Sequence, residues 1–237
     1  MFNEFQIIGH RGWMAKYPEN TLLSFEKAKQ AGANMIEFDV QLSKDNHLVI
    51  MHDETTKRVC NRDLKVSITN RNSLEELDVD GNPIPFLEQV FDKFKTDLNY
   101  CIELKTFKTT SIESKLTLAY YTVNEILKHS LRRNCVITSF DEPLLKACRS
   151  IGFSNIGLVS DKSIKEKKFK LNSLNHRAIK SEPSTPTFAW TVNDSRRMRT
   201  LIANKVDGII TDHVDKLVNI LNGENNKCRN KIEKMNQ

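Results

Sequence analysis

At 237 residues, with 39% hydrophobic and 28% charged side chains, the chain has the composition of a globular protein that buries a core without disulfides or a structural metal. Its longest apolar runs, such as Val206 to Ile210, are strand-sized, which argues against stable membrane insertion. The net charge of +6 is concentrated in residues 162–180, where Lys162, Lys165, Lys167, Lys168, Lys170, Arg177 and Lys180 stand against Glu166 alone. Phe169 is the one aromatic in that segment able to stack a base, so nucleic acid is not an expected partner. The segment reads instead as a solvated face, or as a steering patch for an anionic substrate.

The first strand is expected at residues 5–9, with no basic region or long apolar stretch before it, so the reading is a cytoplasmic protein without a signal peptide. Cys60, Cys101, Cys135, Cys148 and Cys228 are odd in number and lack metal-type spacing, which fits reduced, mostly buried thiols. A helix is predicted to open at Asn20 as N-cap, run through Leu22, Leu23, Phe25 and Ala28, and stop before Gly32. Strands follow near 35–39 and 47–51, separated by only seven residues. That is too few for a crossover helix, so two parallel strands here require residues 40–46 to return as extended chain. Ser73-Leu74-Glu75-Glu76 reads as a capping box over a short helix, and residues 86–94 read as helical.

Beyond a strand near 98–104, a long helix is expected over 111–128, then a strand near 134–138 and a helix opened by Asp141-Glu142-Pro143. Strands near 155–159, 186–191 and 206–210 alternate with helices over 194–204 and 213–221. Eight strands interleaved with helices predict an α/β fold, a single-domain (β/α)8 barrel over residues 1–222 with a small insert after the third strand. A polar tail over 223–237 is expected to be disordered.

Several strands end in chemistry. In a strand, residues two apart face the same side, so Glu37 and Asp39 point together, as do Glu103 and Lys105. Three carboxylates are hard oxygen donors suited to Mg²⁺ or Ca²⁺; ion pairing to Lys105 or another cation is the plainer alternative. His10 and His52 stand at strand ends, where two imidazoles can divide proton transfer between a nucleophile and a leaving group. Arg11 offers a planar fork of donors for phosphate oxygens and Lys105 a compact second cation. Together they describe a phosphoester site.

At this point the chain resembles a family. His10-Arg11-Gly12, Pro18-Glu19-Asn20-Thr21, Glu37-Phe38-Asp39-Val40, His52-Asp53, Glu103-Leu104-Lys105, Ser139-Phe140, Trp190-Thr191-Val192-Asn193 and Asp207-Gly208-Ile209-Ile210-Thr211-Asp212 stand in the order seen in glycerophosphodiester phosphodiesterases. The resemblance implies a TIM barrel binding one divalent cation, Mg²⁺ or Ca²⁺, through Glu37, Asp39 and Glu103. It implies His10 and His52 as the acid–base pair, phosphate contacts from Arg11 and Lys105, and support of the active-site loop by Asn20. Trp190 would line the mouth of the site, with core filling as the plainer alternative for an indole there, and Phe140 reads as core. An insert over residues 54–95 would help form the pocket for the sugar alcohol.

The implied reaction is metal-dependent hydrolysis of a small glycerophosphodiester to glycerol 3-phosphate and an alcohol. Alternatives are a phospholipase D-like hydrolase of lysophospholipids and an inactive binding barrel. The insert is less glycine-rich than the family pattern, and residues 160–190 look compressed, as though a helix-and-strand unit were missing. Nothing in the sequence sets an oligomeric state.

Overall fold

The computed structural model describes residue 2, residues 4–164 and residues 168–223. In chain order the elements are β1 (Gln6–His10), α1 (Leu22–Gln30), β2 (Met35–Leu42), β3 (Leu48–Ile50), α2 (Arg71–Glu75), β4 (Asp78–Val79), β5 (Asn82–Pro83), α3 (Leu87–Phe94) and β6 (Asn99–Leu104). Then come α4 (Ile112–Lys128), β7 (Cys135–Ser139), α5 (Glu142–Ser150), β8 (Ile156–Ser160), β9 (Leu171–Asn175), β10 (Thr187–Trp190), α6 (Ser195–Ala203) and β11 (Gly208–Thr211). A last helix covers residues 214–223. Parallel pairing runs β1-β2-β6-β7-β8-β9-β10-β11 and back to β1, which closes an eight-stranded barrel. No helix among the described residues is long and apolar enough to cross a membrane.

Seven of the eight barrel strands lie where the sequence places them, and the eighth does not. The predicted strand at 47–51 contains β3, which pairs antiparallel with the end of β2 (Val40 with Ile50, Leu42 with Leu48) and takes no part in closing the barrel. The short connection dictates this: five residues suffice for a hairpin turn and not for a parallel crossover. Asn46, with φ 64°, supplies the left-handed step of that turn. The missing barrel strand is β9, in the stretch that looks compressed. Its sequence, Leu171-Asn172-Ser173-Leu174-Asn175, has two buried polar residues, Asn172 and Ser173, which break the apolar run that marks the other strands. No helix is found among the described residues between β8 and β9; Lys165 and Lys167 of the basic segment lie outside the described residues.

Thr21, and not Asn20, caps α1 by accepting from Ser24 N–H; Asn20 sits at φ 56°, outside the extended geometry an N-cap needs. The expected capping box at Ser73 is likewise absent, since α2 begins at Arg71 behind Asn70. Gly223 is the last described residue of the final helix, and the rest of the predicted tail lies outside the described residues. Cys60, Cys101, Cys135 and Cys148 are free thiols.

The strand period builds the barrel interior in layers. Ile8, Met35, Cys101, Val136, Leu171, Phe188 and Ile210, one from each of seven barrel strands, form an apolar floor. Two residues further along the same strands, on the same face, stand His10, Glu37, Glu103, Thr138, Ser173, Trp190 and Asp212. The helices bury their apolar stripes on the outside, where Phe25, Phe38, Phe91, Phe94 and Tyr100 pack edge to face or tilted. Side chains between β3 and α3 gather in a separate small cluster around Val66, Leu74, Val79 and Phe86, whereas α3 itself joins the main core.

Asp141 fastens α5 as its N-cap. Oδ1 accepts from Leu144 N–H at 3.1 Å, and Oδ2 takes Lys115 Nζ at 2.7 Å and Thr106 Oγ1 at 3.1 Å. Burial opposes the charge, but these bonds outweigh it and hold the carboxyl below its usual range. The stability it contributes is therefore present above the unfolded value of about 3.9 and lost as pH falls through the lower folded one. Asp141→Ala is expected to cost about 1–2 kcal/mol at pH 7. Thermal melts should show the gap to wild type closing once pH drops below about 4; a gap constant with pH would mean that the cap's charge is not involved.

Candidate active site

The rim is assembled by strand register. His10 lies opposite Glu37 on β1 and β2, and Asp39 lies opposite Glu103 on β2 and β6. Oxygens of Glu37, Asp39 and Glu103 come within 4.8 Å of one another. Three oxygens on one ion at about 2.0–2.6 Å must lie within roughly 5 Å of each other, so the spacing fits a hard divalent cation. Glu37 and Asp39 are 4% and 1% exposed, so water cannot offset their repulsion. Burial, then Asp39, pushes the Glu37 carboxyl up to about 8, and burial raises Glu103 as well. Asp39 moves the other way: burial is outweighed by Lys105, Arg11, His52 and a hydrogen bond from Asn20. The side-chain oxygen of Asn20 is buried with no partner. Three clustered carboxyls that partly refuse their charge, beside an orphaned oxygen, form a hard oxygen donor set, and the residues fit the metal that the family resemblance implies.

Both histidines carry a carboxylate on one ring nitrogen. His10 Nδ1 is 2.6 Å from Asp212 Oδ1, and its Nε2 is 4.0 Å from Glu37 Oε2. His52 Nδ1 is 2.6 Å from Asp53 Oδ1. His52 begins the segment after β3 and not a barrel strand, yet its charge lowers the carboxyls of both Asp39 and Glu103, which places it at the same rim. An Nδ1–H given to carboxylate leaves Nε2 as the working atom of each imidazole. Burial works against a charged His10, but Asp212 and Glu37 raise its pKa overall.

Arg11 stands at φ 49° in the turn after β1, and its N–H donates to Glu37 Oε2 at 3.0 Å. Its Nη1 donates to Glu19 Oε1 at 2.8 Å and its Nε lies 3.4 Å from Asp39 Oδ2. Lys105 Nζ is 2.8 Å from Glu103 Oε1 and 3.5 Å from Asp39 Oδ1. Asn20 Nδ2 donates to Asp39 Oδ2 at 3.0 Å, so it braces a carboxylate directly.

Gly12 makes the turn possible. At φ 85°, a Cβ there would meet Ser24 Oγ at 2.3 Å, and that hydroxyl is engaged with Trp13 N–H and Arg11 C=O. Gly12→Ala should cost at least about 1–2 kcal/mol for the backbone alone, with the clash added. A melting temperature within a degree of wild type would contradict this reading of the turn.

Trp190 lines a small cavity with His10, Glu37, Glu103, Thr138 and Ser173. Its indole N–H donates to Ser173 C=O at 2.9 Å, and its ring meets Phe140 edge to face at 5.7 Å. Phe140 is 51% exposed, so the expected core packing is not found, and the pair forms an aromatic edge beside the opening.

All the residues read from sequence as site candidates converge on this rim. Sequence reasoning missed the residues behind them. Asp53 and Asp212 fall inside the motifs but were given no role, and adjacency to His52 is the one signal that pointed to Asp53. Asp212 reaches His10 across 202 residues only because β11 closes on β1. Asn193 Nδ2 donates to Asp212 Oδ2 at 2.6 Å, and Arg58 bonds Asp53 and Glu19.

The model of the glycerophosphoryl diester phosphodiesterase family matches residues 10–182 and 177–216. A glycerophosphodiester phosphodiesterase of Caldanaerobacter subterraneus is 30% identical over 241 residues, covering 91% of this chain and 97% of that protein. Among solved structures, the glycerophosphodiester phosphodiesterase of Thermotoga maritima superposes with a TM-score of 0.76 at 29% identity, covering 92% of this chain and 100% of that one. An Oleispira antarctica phosphodiesterase, solved in complex with the product sn-glycerol-3-phosphate, gives a TM-score of 0.82 at 21% identity over 92% of this chain and 96% of that one. With the barrel closed and the motifs gathered at its rim, the chain belongs to the glycerophosphoryl diester phosphodiesterase family.

Proposed function

We propose that this enzyme hydrolyses small glycerophosphodiesters to glycerol 3-phosphate and an alcohol, with Glu37, Asp39 and Glu103 holding one divalent cation and His10 and His52 moving the protons. The observation that carries the reading is the convergence of three carboxylates, two of them buried, with two imidazoles, each braced at Nδ1 by its own carboxylate. A bound Mg²⁺ or Ca²⁺ would offset the negative charge of the phosphodiester and of its transition state. Arg11 and Lys105, both within reach of Asp39, supply the protein's own cations for the phosphate oxygens. One imidazole takes a proton from the nucleophile, either water or the neighbouring glycerol hydroxyl, whose attack closes a cyclic phosphate that water then opens, and the other donates one to the departing alkoxide through Nε2. Asp212 and Asp53 keep each ring in the tautomer and orientation for that exchange and stabilise it when charged.

The test is an assay of purified protein on glycerophosphocholine, glycerophosphoethanolamine and lysophosphatidylcholine, each with Mg²⁺, Ca²⁺ or EDTA. Metal-dependent release of glycerol 3-phosphate from the first two is expected. No turnover with either metal would overturn the reading and favour a binding barrel. The exposed Phe140 against Trp190, with exposed Ile112 and Leu116 at the start of α4, favours a second reading, acylated substrates of the lysophospholipid kind. Faster turnover of lysophosphatidylcholine than of glycerophosphocholine would make it the first.

A further inference from the structure

Between β3 and α3, Arg58 ends a short 3₁₀ turn, Thr56–Arg58, and reaches the rim from outside the barrel. Its Nη1 and Nη2 donate to Oε2 and Oε1 of Glu19 at 2.7 and 2.8 Å, and its Nε donates to Asp53 Oδ2 at 2.5 Å. The other oxygen of Asp53 holds Nδ1 of His52, while Glu19 Oε1 also accepts from Arg11 Nη1. One guanidinium therefore fastens two carboxylates, and each carboxylate holds a different member of the site. We propose that Arg58 is a positioning residue that orients His52 through Asp53 and Arg11 through Glu19, an inference that rests on the acid–base role given to His52 above.

The geometry requires a guanidinium. Three N–H groups in one plane satisfy two carboxylates at once, and an ammonium on a single stem cannot reproduce that fork. With Oδ2 of Asp53 taken by Arg58, Oδ1 is left facing the imidazole. Burial works against the charge on Glu19 and Asp53, yet both carboxyls are held below their usual range, with the hydrogen bond from Arg58 the largest influence lowering each. Arg58 is itself 48% exposed on its side chain. Water can then replace much of its charge when it is removed, but not the direction in which it holds Asp53. Its loss should fall on turnover far more than on stability.

The experiment compares Arg58→Ala, Arg58→Lys, Asp53→Asn and the Asp53→Asn/Arg58→Ala double variant on glycerophosphocholine with saturating Mg²⁺, well below each variant's melting temperature. Arg58→Ala is expected to lower kcat about ten- to hundredfold, the usual worth of a group that orients a site residue, with KM changed less. Arg58→Lys should recover only part of the loss, and guanidinium ion should rescue the alanine variant in a saturable way. The double variant should fall short of the product of the two single losses, since Asp53→Asn already removes the arm to His52 and leaves Arg58→Ala only the Glu19 arm to lose. Losses that multiply, or a kcat within twofold of wild type for Arg58→Ala, would overturn the proposal.

A readout independent of turnover is the imidazole NMR resonance of His52, assigned by its absence in His52→Gln. It should shift or broaden in Arg58→Ala if Arg58 orients the ring, and an unchanged resonance would sink the inference. If wild type itself fails to turn over the diester, the functional reading fails, and this resonance still decides the role of Arg58.

Discussion

Replacing Glu37 by Gln is expected to lower turnover on the order of a thousandfold, matching loss of the several kcal/mol that a Lewis-acid cation contributes to phosphoryl chemistry. The variant should keep its fold. Without a cation, burial and Asp39 hold the Glu37 carboxyl near 8, so much of it is already neutral at pH 7 and Gln imitates that state. Melting in EDTA should therefore be unchanged or slightly higher for Glu37→Gln. Asp39→Asn should lose activity as heavily but also lose stability, because Asp39 is held ionised by Lys105, Arg11 and Asn20. Calorimetric titration with Mg²⁺ and with Ca²⁺ should show both variants binding weakly. Wild-type metal affinity in either variant, with metal-dependent turnover kept, would reduce the trio to a structural ion-pair cluster.

The histidines give the second large effect. His10→Ala and His52→Ala should each lower kcat on glycerophosphocholine about a hundredfold or more, with metal affinity little changed, since the carboxylates supply the ligands. A nitrophenyl phosphodiester has a leaving group that needs no proton, so it should rescue one of the two variants selectively, and that one identifies the acid. Equal rescue of both, or near wild-type turnover of either on the natural diester, would refute a division of labour between them. Asp212→Asn should resemble His10→Ala in part, because an amide at 2.6 Å from Nδ1 can favour the wrong tautomer.

Much of this molecule is local and therefore legible. Glu37 and Asp39, or Glu103 and Lys105, share a face because strand side chains alternate. The turn His10-Arg11-Gly12 is written in a glycine that must take φ 85°. α4 and α5 begin where Ser111 and Asp141 offer caps. The sequence by itself thus determined the alternation of strands and helices, the carboxylate pair, the two imidazoles and the family pattern that orders them. It could not place β9, because buried Asn172 and Ser173 hide a strand whose partners lie on β8 and β10. The short spacing before β3 already spoke against a crossover helix, but only its antiparallel pairing with the end of β2 removes it from the barrel.

Tertiary packing decided the rest: Asp212 behind His10, Asp39 across from Glu103, and Arg58 bridging Asp53 to Glu19. Those contacts join residues distant in the chain, and their geometry is set by strand register and by the packing of the segment after β3. No local propensity encodes either, so the reactive side chains are written in the sequence while the groups that aim them belong to the tertiary structure.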